Sequence, residues 1–238
     1  MSFAKVACII VATLGLHVSS TSPNPPLSSE KKIAPTALEF MLGSYPLRTM
    51  LTGMYWGVAM AETAVILVQW RERISSSIFA ERILHILAMG GNPDRVGLSV
   101  TPTLAIGACL ITCGAVLRLQ CYHALGRHFT FETGIFKNHK LITNGPYSIV
   151  RHPSYSGAWV AYVGLMLYYA SAGSWVMECV MASTLGKVFG ISYALMMSLI
   201  VTGLTGRIPK EDEALRNEFG KEWEDWATGR YALFPLVY

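Results

Sequence analysis

The stretch GPYSIVRHPSY, residues 145–155, decides how this chain is interpreted, together with HKLI at 139–142 just before it. It is polar, aromatic and rich in turn residues, although apolar segments flank it. Gly145-Pro146 is a chain-reversal signal. Pro153 suits the first turn of a helix, because the amide hydrogen that proline lacks would have no partner there. The pattern predicts an ordered loop that leads into a helix beginning near Pro153.

The predicted helix start gives this loop a chemical role. Tyr147, Arg151 and His152 all precede it. His152 stands before a proline and is therefore biased toward an extended conformation. The free amides at the start of a helix favour an anionic group. The loop and the helix start are therefore a candidate shelf for a cofactor.

The composition predicts a membrane protein. Apolar residues make up 52% of the 238 residues and charged residues only 14%, and the mean hydropathy is +0.39. A soluble domain carries roughly a quarter charged residues. The net charge is only +4, and no basic run is interleaved with aromatic residues, which argues against a nucleic-acid partner. Since no polar linker divides the chain, we expect a single integral-membrane domain over 1–238.

Apolar segments predict about five membrane helices in an all-α, polytopic bundle. A membrane helix needs about 20 residues. The segments cover residues 4–16, 47–70, 98–119, 155–171 and a last stretch that ends near 206. The first is short and precedes residues rich in Ser, Thr and Pro, so residues 1–20 form either a retained first membrane helix or a signal segment.

Two features lie between the first apolar segments. Glu62 falls inside the second segment. An acid within a membrane is a candidate functional residue; the alternative is a protonated or hydrogen-bonded acid that faces the bundle interior. Residues 71–97 mix charged positions with apolar positions at helical spacing, which predicts an amphipathic helix on the membrane surface.

The C-terminal region predicts an amphipathic helix outside the bilayer over residues 210–228, with Pro209 at its first turn. One apolar stripe of helical spacing runs along it. The stripe consists of Leu215, Phe219, Trp223 and Trp226. Residues 230–235 form an apolar tail that we expect to pack back on the domain.

The remaining motifs exclude some classes of site. No G-x-G-x-x-G motif occurs between a strand and a helix, which excludes a soluble Rossmann nucleotide-binding fold. His123 and His128 are five residues apart, a spacing that does not place both on one helix face as a zinc pair needs. Cys109 and Cys113 lie one helical turn apart without His or carboxylate partners, so packing is their expected role.

Residues 139–155 resemble the cofactor-binding signature of the isoprenylcysteine carboxyl methyltransferase family. RIPKEDE at 207–213, followed by FGKEW at 219–223, is similar to that family's C-terminal signature. The resemblance implies an enzyme that uses S-adenosylmethionine to methylate the C-terminal carboxylate of prenylated cysteine on proteins or peptides. It further implies contact with membrane lipids, no metal, an endoplasmic reticulum membrane and a cofactor loop that faces the cytosol.

The resemblance also implies the site residues, with 139–228 as the cofactor-binding and catalytic region. Those placed around the cofactor are His139, Lys140, Leu141, Ile142, Tyr147, His152, Pro153, Ser154, Tyr155 and Glu211. Arg207 would hold the carboxylate of the methyl acceptor, as the catalytic and substrate-binding residue. Glu132 stands where the family commonly has Gln, and this departure affects one cofactor contact.

Other functions and other roles stay open from the sequence. Related endings occur in phospholipid N-methyltransferases, which act on phosphatidylethanolamine, and in some sterol reductases; a non-catalytic membrane protein is a further alternative. Tyr147 and Tyr155 fit a belt of interfacial aromatics. Arg207 and Glu211 fit a solvated ion pair at i, i+4 spacing. Arg151 fits a contact with a lipid phosphate or a loop carbonyl.

Overall fold

A computed structural model describes residues 3–25, 44–72, 78–89, 96–131 and 140–235, and the regular secondary structure within these ranges is helical. The predicted all-α class is therefore confirmed. The α-helices are α1 (Phe3–Ser20), α2 (Tyr45–Glu72), α3 (Ile78–Leu87), α4 (Pro102–Leu125), α5 (Pro153–Tyr169), α6 (Trp175–Glu178), α7 (Thr184–Phe219) and α8 (Lys221–Ala227).

Three helices in the described ranges are long and apolar enough to cross a membrane. Their spans are Tyr45–Trp70, Pro102–His128 and Thr184–Phe219. The apolar helices α1 and α5 have 18 and 17 residues, which is the lower end of the range of about 17–25 that membrane helices show. All five predicted apolar segments are thus helices, but only three have ample length to span.

Side-chain contacts show how the helices run between the two ends of the bundle. Lys5, near the start of α1, donates a hydrogen bond to the Gly173 carbonyl beyond the end of α5. Asn24, beyond the end of α1, donates to the Gly126 carbonyl beyond the end of α4. Helices α1 and α4 therefore run in one direction and α5 runs back. The end that contains Gly126, the loop 140–152 and the start of α5 is called the site end below.

Small residues let α4 and α5 approach closely. A methyl group added to Gly107 would lie 2.6 Å from the Tyr168 backbone nitrogen. Further along the same interface, Gly114 lies against Gly157 and Ala161. Small side chains permit such backbone contact between membrane helices. Gly157 and Ala161 therefore belong to the face of α5 that packs closely on α4.

Helix α4 begins later than the predicted segment at 98–119. Thr101 caps it, since its Oγ1 accepts a hydrogen bond of 3.2 Å from the Leu104 amide, and Pro102 occupies the first turn. A capping threonine followed by proline is a strong local start signal. The helix therefore extends from Pro102 to Leu125, which carries it further toward the site end than hydropathy alone predicts.

The predicted break between the last membrane segment and a separate C-terminal helix is wrong. Helix α7 is continuous from Thr184 to Phe219 and passes through Pro209. Proline within a helix costs about 3 kcal/mol. Tertiary packing offsets this cost at the neighbouring residue, because Ile208 is buried against Ala232 and Leu233 of the C-terminal tail.

The C-terminal amphipathic segment turns a corner at Gly220. The φ of Gly220 is +54°, a left-handed conformation that glycine adopts without strain. Helix α7 ends before this residue and α8 begins after it. The members of the predicted apolar stripe nevertheless share one cluster. They are Leu215, Phe219, Trp223 and Trp226. The stripe is confirmed, although two helices carry it.

The C-terminal tail packs back on the domain, as predicted. The backbone amides of Arg151 and His152 donate hydrogen bonds of 2.9 Å to the carbonyls of Tyr231 and Ala232. These bonds attach the tail to the loop that precedes α5. The tail thereby supports the site end from outside the bundle.

The predicted surface helix over 71–97 corresponds to α3, which is shorter. Residues 71–72 belong to α2, and residues 73–77 and 90–95 lie outside the described ranges. Within α3, Ile78, Phe79 and Ile86 are largely exposed. Exposed apolar residues on a short amphipathic helix are expected where a helix meets the membrane interface.

Candidate functional site

The loop before α5 is built as the sequence predicts. Gly145, with φ of +59°, opens a short 3₁₀ turn over Gly145–Ser148. His152 is the N-cap residue of α5 and Pro153 its first helical residue. Tyr147 is buried in this turn. Burial raises the pKa of the Tyr147 phenol well above its usual value, so the phenol is neutral at physiological pH.

Asp212 on α7 joins the two basic residues of the loop. Its Oδ1 lies 2.9 Å from His152 Nε2, and its Oδ2 lies 3.1 Å from Arg151 Nη2. Arg151 therefore pairs with a carboxylate of the protein. Sequence reasoning gave Asp212 no role, although this residue follows Glu211 directly in the second sequence block.

Glu211 is the centre of a second cluster. Its Oε1 accepts a hydrogen bond of 2.5 Å from the Tyr155 hydroxyl and lies 3.1 Å from Arg207 Nη2. Its Oε2 lies 3.6 Å from His152 Nδ1. The Arg207 and Glu211 side chains are only 14% and 18% exposed, so a solvated ion pair does not describe them. The structure thus brings together four of the predicted site residues.

Arg207 also contacts the segment that follows α4. Its Nη1 donates a hydrogen bond of 2.9 Å to the Phe131 carbonyl. The guanidinium carbons of Arg118 and Arg48 lie 5.2 and 5.3 Å from the centre of the Phe131 ring. Phe131 is therefore in contact with one arginine from each of the helices α2, α4 and α7. Sequence reasoning missed Arg48, Arg118 and Phe131.

Arg118 is an arginine of α4 that is only 4% exposed. Its Nε donates a hydrogen bond of 3.1 Å to the Tyr122 hydroxyl, and its Nη1 donates one of 2.9 Å to the Ser154 carbonyl. The second bond attaches the first turn of α5 to α4. A charged residue inside a membrane segment is the signal that could have found Arg118, by the reasoning that singled out Glu62.

The clusters line one cavity of about 520 Å³ at the site end. The predicted site residues in its wall are Lys140, Leu141, Ile142, Tyr147, His152, Ser154, Tyr155, Arg207 and Glu211. Pro153 is not among the lining residues, because its side chain is fully buried in the first turn of α5. His139 and Glu132 lie outside the described residues.

From its charged end the cavity continues between α5 and α7. The residues that line this mostly apolar part are Ala158, Ala161, Tyr162, Leu165, Tyr193, Met197, Ile200, Val201 and Leu204. A polar, charged end joined to an apolar channel suits an amphiphilic ligand, whose headgroup and tail need different surroundings.

Helices α1 and α2 form the other wall of the cavity. The residues that they contribute are Leu16, Ser19, Ser20, Arg48, Leu51 and Tyr55. Sequence reasoning singled out only Glu62 on these helices, and Glu62 is not among the residues that line this cavity. Spacings of three and four place Arg48, Leu51 and Tyr55 on one face of α2. This spacing is the signal that could have found them.

Ser154 leaves an unused hydrogen-bonding group in the cavity wall. The residue is only 7% exposed, and its buried Oγ has no hydrogen-bond partner in the described ranges. A buried hydroxyl without a partner costs free energy, and such groups are rare in folded proteins. Because Ser154 lines the cavity, its hydroxyl indicates a position where a ligand would bind.

Comparison with known proteins identifies relatives of this chain. Residues 102–194 match the family described as Phospholipid methyltransferase. A protein of Oryza sativa subsp. japonica named "Probable protein-S-isoprenylcysteine O-methyltransferase" is 32% identical over 134 residues, which are 56% of this chain and 61% of the relative. The Arabidopsis thaliana "Protein-S-isoprenylcysteine O-methyltransferase B" is 32% identical over 133 residues, which are 55% and 58%. Over about half of its length the chain is thus similar to proteins named protein-S-isoprenylcysteine O-methyltransferase.

These similarities confirm the resemblance drawn from the sequence. The Homo sapiens "Protein-S-isoprenylcysteine O-methyltransferase" is 28% identical over 177 residues, which cover 74% of this chain and 51% of the human protein. The chain thus spans about half to three fifths of the length of these three relatives. No solved structure matches it significantly. The match at 102–194 includes the loop and α5, whereas α1 and α2 lie outside it.

Proposed function

We propose that this protein is an integral-membrane methyltransferase that uses S-adenosylmethionine to esterify the C-terminal carboxylate of prenylated cysteine. The observation that carries the proposal is the cavity. At its charged end Glu211 joins Tyr155 and Arg207, and its other end is an apolar channel between α5 and α7. An acceptor with an acid group and a long hydrocarbon tail matches both ends.

The residues of the loop and of the start of α5 fit the proposed cofactor. The Ser154 hydroxyl lacks a partner inside the protein, and S-adenosylmethionine carries several groups that form hydrogen bonds. The Glu211 carboxylate gives the same end of the cavity a negative group, which suits a positive sulfonium. Tyr147, His152 and Tyr155 complete this part of the wall. His139, Lys140, Leu141 and Ile142 are proposed to follow the cofactor as the family resemblance implies.

Catalysis by this chain is proposed to depend on how the protein positions the methyl donor and the acceptor. When bound, S-adenosylmethionine supplies a methyl group that is already activated on sulfur. The work of the protein is then to align donor and acceptor and to exclude water, and such alignment supplies most of the acceleration in well-oriented reactions. The bond from Tyr155 to Glu211 and the bond from Arg118 to Ser154 hold the start of α5 in place for this purpose.

Arg207 is proposed to hold the acceptor carboxylate. A guanidinium forms paired, charge-assisted hydrogen bonds with a carboxylate. Arg207 lines the cavity and is held from two sides, by Glu211 and by the Phe131 carbonyl. This support fixes the direction of the guanidinium before an acceptor binds. The prenyl tail would then occupy the apolar channel.

The other parts of the proposal follow from the family resemblance. We place the protein in the endoplasmic reticulum membrane, with the site end facing the cytosol and membrane lipids around the bundle. Its partners would be proteins or peptides that end in a prenylated cysteine. Because α1, α2, α4, α5 and α7 all contribute to one cavity wall, we infer that 1–238 works as one domain.

The competing candidate is N-methylation of phosphatidylethanolamine, which the family match at 102–194 favours. The cavity wall disfavours the reacting group of this lipid, because its ammonium would lie near the positive charges of Arg48, Arg118 and Arg207. The test is an assay of the purified protein with labelled S-adenosylmethionine, offering N-acetyl farnesylcysteine and phosphatidylethanolamine in parallel. We expect label in the farnesylcysteine ester. Label in the phospholipid alone would overturn the proposal.

A further inference from the structure

The wall formed by α1 and α2 lies outside the matched family region, yet it completes the cavity. Arg48, Leu51 and Tyr55 face the cavity from α2. Of the residues that α1 and α2 contribute to the cavity lining, Arg48 is the charged one. Any ligand contact that Arg48 makes is therefore made from outside the matched region.

Arg48 has no carboxylate partner within the residues that the structure describes. Its guanidinium carbon lies 5.3 Å from the centre of the Phe131 ring, and its Nε is buried without a hydrogen-bond partner. Arg207, in the same cavity, is different because Glu211 pairs with it at 3.1 Å. A guanidinium with a buried, unused donor next to a cavity is a ready site for an anion.

Arg118 adds a second positive charge against the same ring. Its guanidinium carbon lies 5.2 Å from the centre of Phe131. Its hydrogen bonds go to a hydroxyl and a backbone carbonyl, on Tyr122 and Ser154, and therefore do not neutralise it. Two like charges that share one ring repel each other, and the repulsion grows as the dielectric constant falls. An anion bound between them would remove that cost.

We propose that Arg48 selects the methyl acceptor by its acid group. The carboxylate of the prenylated cysteine enters beside the Phe131 ring, where Arg48 and Arg118 supply positive charge, and Arg207 holds it for reaction. This inference rests on the proposed function and names the specificity-determining residue of that site. An uncharged terminal group gains no charge–charge attraction from Arg48, and a reacting ammonium at this position is repelled, so the same residue favours a carboxylate over either group.

The test compares two probes of nearly the same shape whose terminal groups differ in charge: N-acetyl farnesylcysteine and its C-terminal amide. Their binding to the full-length protein is measured by calorimetry in detergent for the wild type and for Arg48→Gln. The wild type should prefer the acid. Arg48→Gln should reduce the acid-over-amide preference by about ten- to a hundredfold and leave binding of the amide and of S-adenosylmethionine unchanged.

Matched variants separate charge from shape. Arg82→Gln removes an exposed arginine of α3 and should keep the wild-type preference for the acid. Arg48→Lys keeps the charge and should keep part of that preference. If Arg48→Gln no longer binds either probe, the result for Arg48→Lys is decisive. A preference of Arg48→Lys for the acid supports the proposal, and equal binding of acid and amide overturns it.

The outcomes distinguish this inference from the proposed function. If the acid binds with an Arg48-dependent preference but no methyl group is transferred to it, the proposed function fails and the anion site stands. If the acid is methylated but acid and amide bind equally to the wild type, the anion site is overturned and the proposed function stands. An Arg48-dependent preference for short-chain phosphatidate and not for the acid would overturn the carboxylate assignment.

Discussion

Lys5 Nζ lies 2.7 Å from Glu62 Oε1, and both side chains are only 2% exposed. Lys5 also donates to the Gly173 carbonyl at 3.0 Å, and Glu62 accepts a bond of 3.2 Å from the Trp175 amide. The pair joins α1 to α2 at the end of the bundle opposite the site end. Glu62 is therefore a hydrogen-bonded acid that faces the bundle interior, the structural alternative of the sequence analysis.

This pair gives α1 a defined place in the fold. Helix α1 contributes Leu16, Ser19 and Ser20 to the cavity wall, and the Ser20 and Tyr55 hydroxyls form a hydrogen bond with each other. The Lys5–Glu62 ion pair attaches the start of α1 to α2, and the Ser20–Tyr55 hydrogen bond attaches its end. Removal of α1 would therefore open the cavity.

Breaking the buried pair should destabilise the protein more than removing it entirely. Lys5→Met or Glu62→Gln alone leaves a buried group without its partner, which costs about 3–5 kcal/mol. The double variant Lys5→Met, Glu62→Met should recover most of that loss. The measurement is thermal unfolding in detergent, followed by the reactivity of the buried thiols of Cys121 and Cys179. Single variants as stable as the wild type would contradict the assignment.

His152→Ala should weaken S-adenosylmethionine binding about tenfold or more, because it removes a ring from the cavity wall and frees Asp212 from one partner. Calorimetry on the purified variant measures the affinity. Ser148→Ala is the matched control, since Ser148 is exposed in the same loop. A folded His152→Ala variant with wild-type affinity would show that the cofactor binds elsewhere.

Shortening the prenyl chain of the acceptor should reduce activity steeply. The apolar channel between α5 and α7 buries the chain, and each buried CH₂ contributes about 0.8 kcal/mol. A geranyl analogue, one isoprene unit shorter than farnesyl, should therefore have a kcat/KM lower by roughly a hundredfold or more. An activity independent of chain length would indicate that only the headgroup is recognised.

Arg207→Ala should lower kcat/KM by roughly 30- to 1000-fold, which corresponds to about 2–4 kcal/mol. Arg207→Lys should recover only part, because lysine keeps the charge but loses the paired donors. The control is Arg216→Ala: Arg216 lies on α7 like Arg207, and its loss breaks only a surface ion pair with Glu224 of α8 and should leave the kinetics unchanged. Near wild-type activity of Arg207→Ala would remove Arg207 from the site.

The rate of methyl transfer should be nearly flat from about pH 6 to 8. A free α-carboxyl has a pKa of about 3.3–3.7, so the acceptor is ionised throughout and needs no general base. Tyr147 adds no titration in this range, since burial raises its pKa well above its usual value. Its raised pKa should lower folding stability only above about pH 10, where tyrosine ionises in the unfolded chain. A rate that rises tenfold per pH unit would indicate an amine acceptor.

Local chemistry made the loop and the helix start at Pro153 predictable from the sequence. Proline tolerates the first turn, Gly145 permits a left-handed turn residue, and apolar runs of sufficient length form helices in a membrane. These preferences act over a few residues, so the sequence alone determined the all-α class and the start of α5. The helical spacing of Leu215, Phe219, Trp223 and Trp226 likewise predicted the apolar stripe that α7 and α8 share.

The tertiary structure decided which of these residues meet. The partners of Glu211, the Lys5–Glu62 pair and the arginines around Phe131 depend on contacts between helices distant in sequence, which local propensities do not specify. Tertiary packing also explains why α7 continues through Pro209, since burial of Ile208 against the tail outweighs a local preference to stop. The wall formed by α1 and α2, with Arg48, appears only when these contacts are known, because its residues carry no motif and become a site through the helices that face them.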